Sequence, residues 1–274
     1  MPRLFIESLD NPRVQPYRQL KGSSVMRRGE LFIAEGTKVV ERLLASDFET
    51  VSVLISEKRE AEWGPKVPAE IPLYVIPQEL GAQLVGFNFH VGVVACGRRR
   101  ASPKLEKILG DPGRPSGLGT PIPGLFAVCP NCDNPENLGA IIRISRGFGV
   151  DAVLLGKGCC DPFSRRVLRV SMGAAFKQPI VESRDLAADL ARLRSEWGFE
   201  LAATVLDSTA EPLHAASRTD RLAILFGNEH AGLSAEWIAL CDRRVTIPMQ
   251  GDTDSLNVAI AAGIVLHHFA NSPV

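Results

Sequence analysis

The sequence predicts an α/β protein, and three observations carry that prediction. Beyond residue 123, short apolar runs alternate with segments of helical periodicity; before residue 101, a shorter mixed set of strands and helices stands by itself; and between them ASPKLEKILGDPGRPSGLGTPIPG (101–124) is dense in Pro and Gly without sustained periodicity. Buried runs that alternate with helices form open, mostly parallel sheets with helices on both faces. The predicted organisation is a small N-terminal α/β domain over 1–100, a linker over 101–122 and a larger C-terminal domain over 123–274.

In the N-terminal part, LFIAE (31–35) reads as a strand followed by an amphipathic helix from near Gly36, and VSVLIS (51–56), PLYVIP (72–77) and HVGVVAC (90–96) read as further strands. In the C-terminal part the strand candidates are GLFAVCP (124–130), DAVLLG (151–156), FELAATVL (199–206), RLAILFG (221–227) and RRVTIPM (243–249). Helix candidates lie between and after them, at about 135–148, 163–176, 185–197, 234–241 and 255–270. No internal repeat is visible. In such sheets, ligands bind in the loops beyond the carboxyl ends of the strands.

Composition narrows the function classes. A chain of 274 residues that is 45% hydrophobic can bury a substantial core, which excludes disorder. Lys plus Arg and Asp plus Glu are 31 each, so the formal net charge is zero and any polyanion site must be local. The first 42 residues carry Arg3, Arg13, Arg18, Lys21, Arg27, Arg28, Lys38 and Arg42 against fewer acids, either a phosphate-facing patch or a solvated surface of mixed charge. The start, MPRLFIESLDN, has no hydrophobic signal core, and the longest apolar run, VAIAAGIVL (258–266), falls short of the roughly 20 residues that span a bilayer. A cytoplasmic protein with no membrane segment is the expectation. Six cysteines then read as reduced thiols, and CPNC (129–132) lacks the second Cys or His pair of a zinc site, so no metal is expected.

Three loop-to-helix joints contain more polar detail than packing needs. In NCDNPENLGAIIRISRGFG (131–149), Asn134 suits an N-cap and Pro135 the first helical turn, which leaves Asn137 and Arg143 unexplained. Gly139 shares a helix face with Arg143 and leaves space above the guanidinium, although an Arg among isoleucines ordinarily snorkels to water. In LFGNEHAGLS (225–234), Gly227 and Gly232 permit positive φ or close backbone approach around Glu229, or are simply turn glycines. In IPMQGDTDSLNVAIAAGIVLHHFA (247–270), Ser255 or Asp254 can cap the helix, while Asn257 meets either free backbone groups or a ligand. The small residues Ala259, Ala261, Ala262 and Gly263 let another backbone come close. Neither GxGxxG nor GxxxxGK[ST] is present, which disfavours a metabolic enzyme with a conventional nucleotide fold.

Together and in this order, the joints resemble the SpoU/TrmH family of SPOUT methyltransferases, which methylate a ribose 2′-hydroxyl of RNA. Asn137-Leu-Gly139-Ala-Ile-Ile-Arg143 is similar to the first family motif, the run Leu225 to Ser234 to the second, and Ile247-Pro248-Met249 through Gly251 to Ser255-Leu256-Asn257-Val258 to the third. VSMGAAFKQPI (170–180) also resembles the family pattern, and His230 stands where many relatives have Gly. NPRVQPYRQL and GELFIAEGTKVVERLL resemble the start of a ribosomal-protein-like RNA-binding domain.

The resemblance implies a deep trefoil knot in the C-terminal domain, S-adenosyl-L-methionine as cofactor, a homodimer with the site formed between subunits, and RNA as partner, ribosomal RNA before transfer RNA. It implies that Gly227, Ile247, Met249 and Leu256 contact the cofactor. Arg143 then lies beside the reacting hydroxyl, and Asn137, Glu229, Ser255 and Asn257 position the substrate or Arg143. The alternatives are a transfer RNA 2′-O-methyltransferase and a knotted RNA-binding or assembly protein without catalysis.

Overall fold

The computed structural model describes residues 3–20, 30–110, 124–228, 231–250 and 255–273. Lys21, Arg27, Arg28, Glu229, His230, Gly251, Asp254 and residues 111–123 lie outside the described residues. In chain order the elements are β1 (Leu4–Phe5), β2 (Leu31–Glu35), α1 (Thr37–Leu44), β3 (Thr50–Ser56), α2 (Glu60–Trp63), β4 (Leu73–Ile76), α3 (Gln78–Val85), β5 (Val93–Arg98) and α4 (Leu105–Leu109). Then come β6 (Gly124–Cys129), α5 (Pro135–Gly147), β7 (Ala152–Leu155), α6 (Arg165–Val170), β8 (Ile180–Glu182), α7 (Leu186–Trp197) and β9 (Glu200–Thr204). The chain ends with β10 (Glu211–Pro212), β11 (Arg221–Leu225), α8 (Ala235–Ala239), β12 (Arg243–Thr246) and α9 (Val258–Asn271). Packing divides the chain into two units, Met1–Ala101 with Asp161–Lys177, and Ser102–Cys160 with Gln178–Val274.

The first unit holds a mixed five-stranded sheet in the order β1-β4-β3-β5-β2, with β5 antiparallel to both neighbours. Alternate residues of a strand face opposite sides, and here both sides are covered. Ile33 joins a core with Val14, Tyr17, Leu54 and Phe89, while Phe32 meets the rings of Phe48, Phe163 and Phe176 at centroid distances of 5.5–5.8 Å. Phe163 and Phe176 come from the connection between β7 and β8, which sequence periodicity predicts as one helix over about 163–176. The observed segment is α6, then a turn with Met172 at φ 54° and Gly173 at φ 77°, then a short 3-10 helix, Ala174–Phe176. Left-handed backbone cannot continue an α-helix. Ionic contacts hold the segment: Glu35, buried, accepts from Arg165 at 2.7 Å and Arg169 at 3.5 Å, Arg99 pairs with Asp161, and Arg42 donates to the carbonyl of Met172 at 2.6 Å.

The second unit holds seven strands, all parallel, in the order β10-β12-β9-β11-β6-β7-β8. Strands β6 and β7 are buried at every residue, so both of their faces are covered, and they read as continuous apolar runs. The five C-terminal strand candidates become β6, β7, β9, β11 and β12; β8 and β10 are too short to leave a sequence pattern. Helix α7 starts at Asp185, whose carboxylate caps Ala188 N, ends at the left-handed Gly198, and buries Leu186, Leu190, Leu193 and Trp197 against the sheet. Part of the predicted linker is ordered as α4, because Leu105 is buried in this core and Glu106 pairs with Arg192 at 2.6 Å. Helix α9 packs on α5, with Ala259, Ala262, Val265, Leu266 and Phe269 buried, while Ile260 and Ile264, one turn apart, are exposed. Among the described residues, no helix is long and apolar enough to cross a membrane.

Candidate functional site

Strands β6 and β11 are neighbours, but the next strand in sequence, β7 after β6 and β12 after β11, lies in opposite directions across the sheet. The crevice where connections diverge is where parallel sheets bind ligands. The three joints of the sequence follow β6, β11 and β12.

After β6, Asn134 accepts a hydrogen bond from Glu136 N at 2.9 Å, and Pro135 occupies the first turn of α5, as the sequence predicts. Asn137 comes two residues later and is turned inward, only 6% exposed. Its Oδ1 accepts from Asn257 Nδ2 at 3.0 Å, but its buried Nδ2 has no partner among the described residues. A buried amide donor without an acceptor is costly, so this one marks a place for an acceptor oxygen. Arg143 lies exposed further along α5, with no ion pair among the described residues. The snorkelled position thus leaves its cation available.

After β11, the chain folds back on itself: Asn228 N donates to Gly232 O at 3.0 Å and Gly232 N to Asn228 O at 2.8 Å, with Gly232 at φ 64°. A Cβ on Gly227 would lie 2.3 Å from the carbonyl carbon of Gly232. Glycine is therefore required at 227 by close backbone approach. Asn228 Nδ2 also donates to Asp133 Oδ1 at 3.3 Å, which ties this loop to the one after β6. Neither Asp133 nor Asn228 is singled out by sequence; polar residues in a turn carry no signal until their partner across the sheet is known. Glu229 and His230 lie outside the described residues.

After β12, Ile247 and Met249 are half-buried, as is Leu256, and Ser255 is exposed. The cap of α9 differs from expectation. Ser255 does not cap it and Asp254 is not described; Asn257 is the N-cap, its Oδ1 accepting from Ala259 N at 2.9 Å and Ile260 N at 3.4 Å. The two readings of Asn257 coexist, since its oxygen serves the backbone while its amide reaches Asn137. Ile247 and Pro248 border a cleft of about 430 Å³ with Ile264, His267 and His268 of α9. The structure brings together Asn137 and Asn257 directly, and the loops of Gly227 and Asn137 through Asn228 and Asp133. Among the described residues, no hydrogen bond joins Ile247, Met249 or Leu256 to Gly227.

These residues fit the group that the resemblance implies. An adenine ring binds best among apolar side chains with a few backbone groups at its polar edge, and uncharged apolar side chains follow these strands: Leu206, 70% exposed, lies beyond β9, and Ile247, Met249 and Leu256, half-buried, lie beyond β12. Among the described residues, no three His, Cys, Asp or Glu are grouped to hold a metal ion.

Residues 124–267 match the model of the SpoU rRNA Methylase family. An uncharacterized tRNA/rRNA methyltransferase of Mycobacterium bovis is 36% identical over 96% of this chain and 90% of its own length. The 23S rRNA guanosine 2′-O-methyltransferase RlmP of Bacillus subtilis is 27% identical over 96% of this chain and 98% of its own. Among solved structures, the AdoMet-bound rRNA methyltransferase of Sinorhizobium meliloti aligns with a TM-score of 0.78, 26% identity and 96% of each chain. With the three motifs at the switch point of a parallel sheet and a family match over more than half its length, this chain belongs to the SpoU rRNA Methylase family.

Proposed function

We propose that this protein transfers a methyl group from S-adenosylmethionine to a ribose 2′-hydroxyl of RNA, with ribosomal RNA as the substrate. The observation that carries the reading is the pair Asn137–Asn257, which joins the first and third motifs and leaves one buried amide donor without a partner among the described residues, on the same helix as the exposed Arg143. Ribosomal RNA is favoured over transfer RNA by the names of relatives such as RlmP.

Bound S-adenosylmethionine supplies an activated methyl group. The chain must then align the ribose oxygen and ease the loss of its proton. A guanidinium is a poor base, so Arg143 stabilises the developing alkoxide and holds the RNA phosphate. Asn137 Nδ2 donates to an oxygen of the substrate, and Asn257 holds Asn137 in that orientation. Glu229 and Ser255 complete the polar rim, while Gly227, Ile247, Met249 and Leu256 line the donor side. Three further assignments belong to this reading: a trefoil knot over the last strands and α9, a homodimer that covers Ile260 and Ile264, and RNA binding by residues 1–100. In that N-terminal region Arg3, Arg18 and Lys38 are paired with Glu60, Asp10 and Glu41, which leaves a mixed-charge surface rather than a purely basic one. A cytoplasmic location follows from the RNA substrate.

The test is methyl transfer from labelled S-adenosylmethionine to unmodified ribosomal and transfer RNA, followed by nucleoside analysis. A 2′-O-methylnucleoside in ribosomal RNA is the expected product. Transfer RNA labelled in its place would replace the substrate class, and donor binding without transfer to either RNA or to precursor ribosomal particles would leave a non-catalytic RNA binder.

A further inference from the structure

The CPNC run and the pair Cys159–Cys160 are far apart in sequence but adjacent in the fold, and the reaction uses none of the four thiols. Gly156 N donates to Cys129 O at 2.9 Å and Cys160 N to Cys132 O at 2.9 Å, so the loops after β6 and β7 run side by side. The approach is close: a Cβ on Gly156 would lie 2.3 Å from the carbonyl oxygen of Pro130. Between the loops, Cys132 N donates to Cys159 Sγ at 3.3 Å, and the Cys159 thiol donates to Cys129 O at 3.0 Å. Adding an N–Cα bond places Cys159 Sγ within about 4.8 Å of Cys132 Cα, so rotation of the Cys132 side chain, whose thiol here donates to Asn134 O at 3.9 Å, turns its sulfur toward Cys159. No other feature of the sequence predicts this, because CPNC finds its second pair only through the parallel register of β6 and β7.

We propose that Cys132 and Cys159 are a dithiol that peroxide oxidises to a disulfide, a modification site at the foot of α5. Cys159, half-buried and more accessible than the buried Cys132, is the first to react. Its sulfur attacks peroxide, the O–O bond breaks, and a sulfenic acid and water form; Cys132 sulfur then displaces the sulfenic oxygen as a second water. Two thiols and one peroxide thus give one disulfide and two waters, with two electrons passing from sulfur to oxygen. Burial pushes the Cys159 thiol up to about 11, so the reaction is slow at neutral pH and accelerates by about tenfold per pH unit below that value. The new bond removes the Cys159 donor from Cys129 O and acts two residues before Asn134, the cap of α5. Its effect on turnover rests on the methyltransferase reading; formation of the disulfide does not.

The experiment treats the full chain with hydrogen peroxide, blocks remaining thiols and maps linked peptides by mass spectrometry. The expected link joins 132 to 159 in the unaltered protein, in Cys129→Ser and in Cys160→Ser, and is lost in Cys159→Ser. Methyl transfer is expected to fall by at least about tenfold on oxidation and to return with a thiol reductant. A Cys159–Cys160 link, or oxidation of Cys159 with Cys132 unlinked, overturns the inference whatever the turnover, and a linked protein with unchanged turnover overturns its effect on α5. A protein inactive before oxidation yet able to form the link would count against the methyltransferase reading alone.

Discussion

In the seven-stranded sheet every strand runs the same way, and in the five-stranded sheet β5 opposes β2 and β3. Parallel strands send all their carboxyl ends to one edge, so loops after β6, β11 and β12, distant in sequence, gather polar groups at one place. A mixed sheet spreads its loops over both edges, and the first unit instead spends its charged residues on holding Asp161–Lys177 through Glu35, Arg165, Arg169 and Arg99. The comparison separates charges that position a segment from charges left exposed for a substrate.

The largest test of that contrast is Arg143→Ala. With the role proposed for Arg143, loss of this exposed cation should lower turnover by about 10²–10³-fold while donor affinity, measured by calorimetry, stays within about twofold. Normal turnover with both ligands bound would remove Arg143 from the mechanism. Gly227→Ala comes next: its Cβ has no room beside Gly232, so the loop must open, donor affinity should fall by about tenfold, and stability by about 1–3 kcal/mol in denaturant unfolding. Glu35→Gln probes the other kind of charge. It should cost about 1–2 kcal/mol of stability, discounted because Arg169 is half exposed, and leave donor affinity unchanged. A change in donor affinity there would erase the distinction between the two sets.

The smallest effect concerns Asp151, whose carboxylate accepts from Leu125 N at 2.8 Å. Burial raises its pKa above the ordinary carboxylate value, outweighing that hydrogen bond. A raised folded-state pKa means that the folded protein holds the proton more tightly, so the contribution to stability is present below the unfolded pKa and is lost as pH rises through the folded one. Asp151→Asn lacks that charge and keeps the acceptor, so its Tm relative to the unaltered protein should rise as pH passes upward through the carboxylate range. A pH-independent difference would show that burial of the charge is not the cause.

Much of this architecture is legible in the sequence because periodicity is a local property. The runs that become β6, β7, β9, β11 and β12 are apolar at nearly every residue because both faces of the sheet are covered, and Asn134-Pro135 announces the start of α5 through its own side chains. The start of α9 is less legible: DTDSLN offers five polar candidates, and only the path of the chain after β12 selects Asn257 as the cap. The segment 163–176 likewise has helical periodicity throughout, yet the turn at Met172–Gly173 breaks it.

By itself, then, the sequence determined the alternation of strands and helices, the three polar joints in their order and the glycines at 227 and 232, because each depends on neighbours along the chain. Only the tertiary structure decided that Asn257 holds Asn137, that Asn228 reaches Asp133, that Cys132 meets Cys159 and that Asp161–Lys177 packs with the first unit. The three residue pairs lie 27 to 120 positions apart, and strand order and register, which a one-dimensional pattern does not encode, bring them within hydrogen-bond reach.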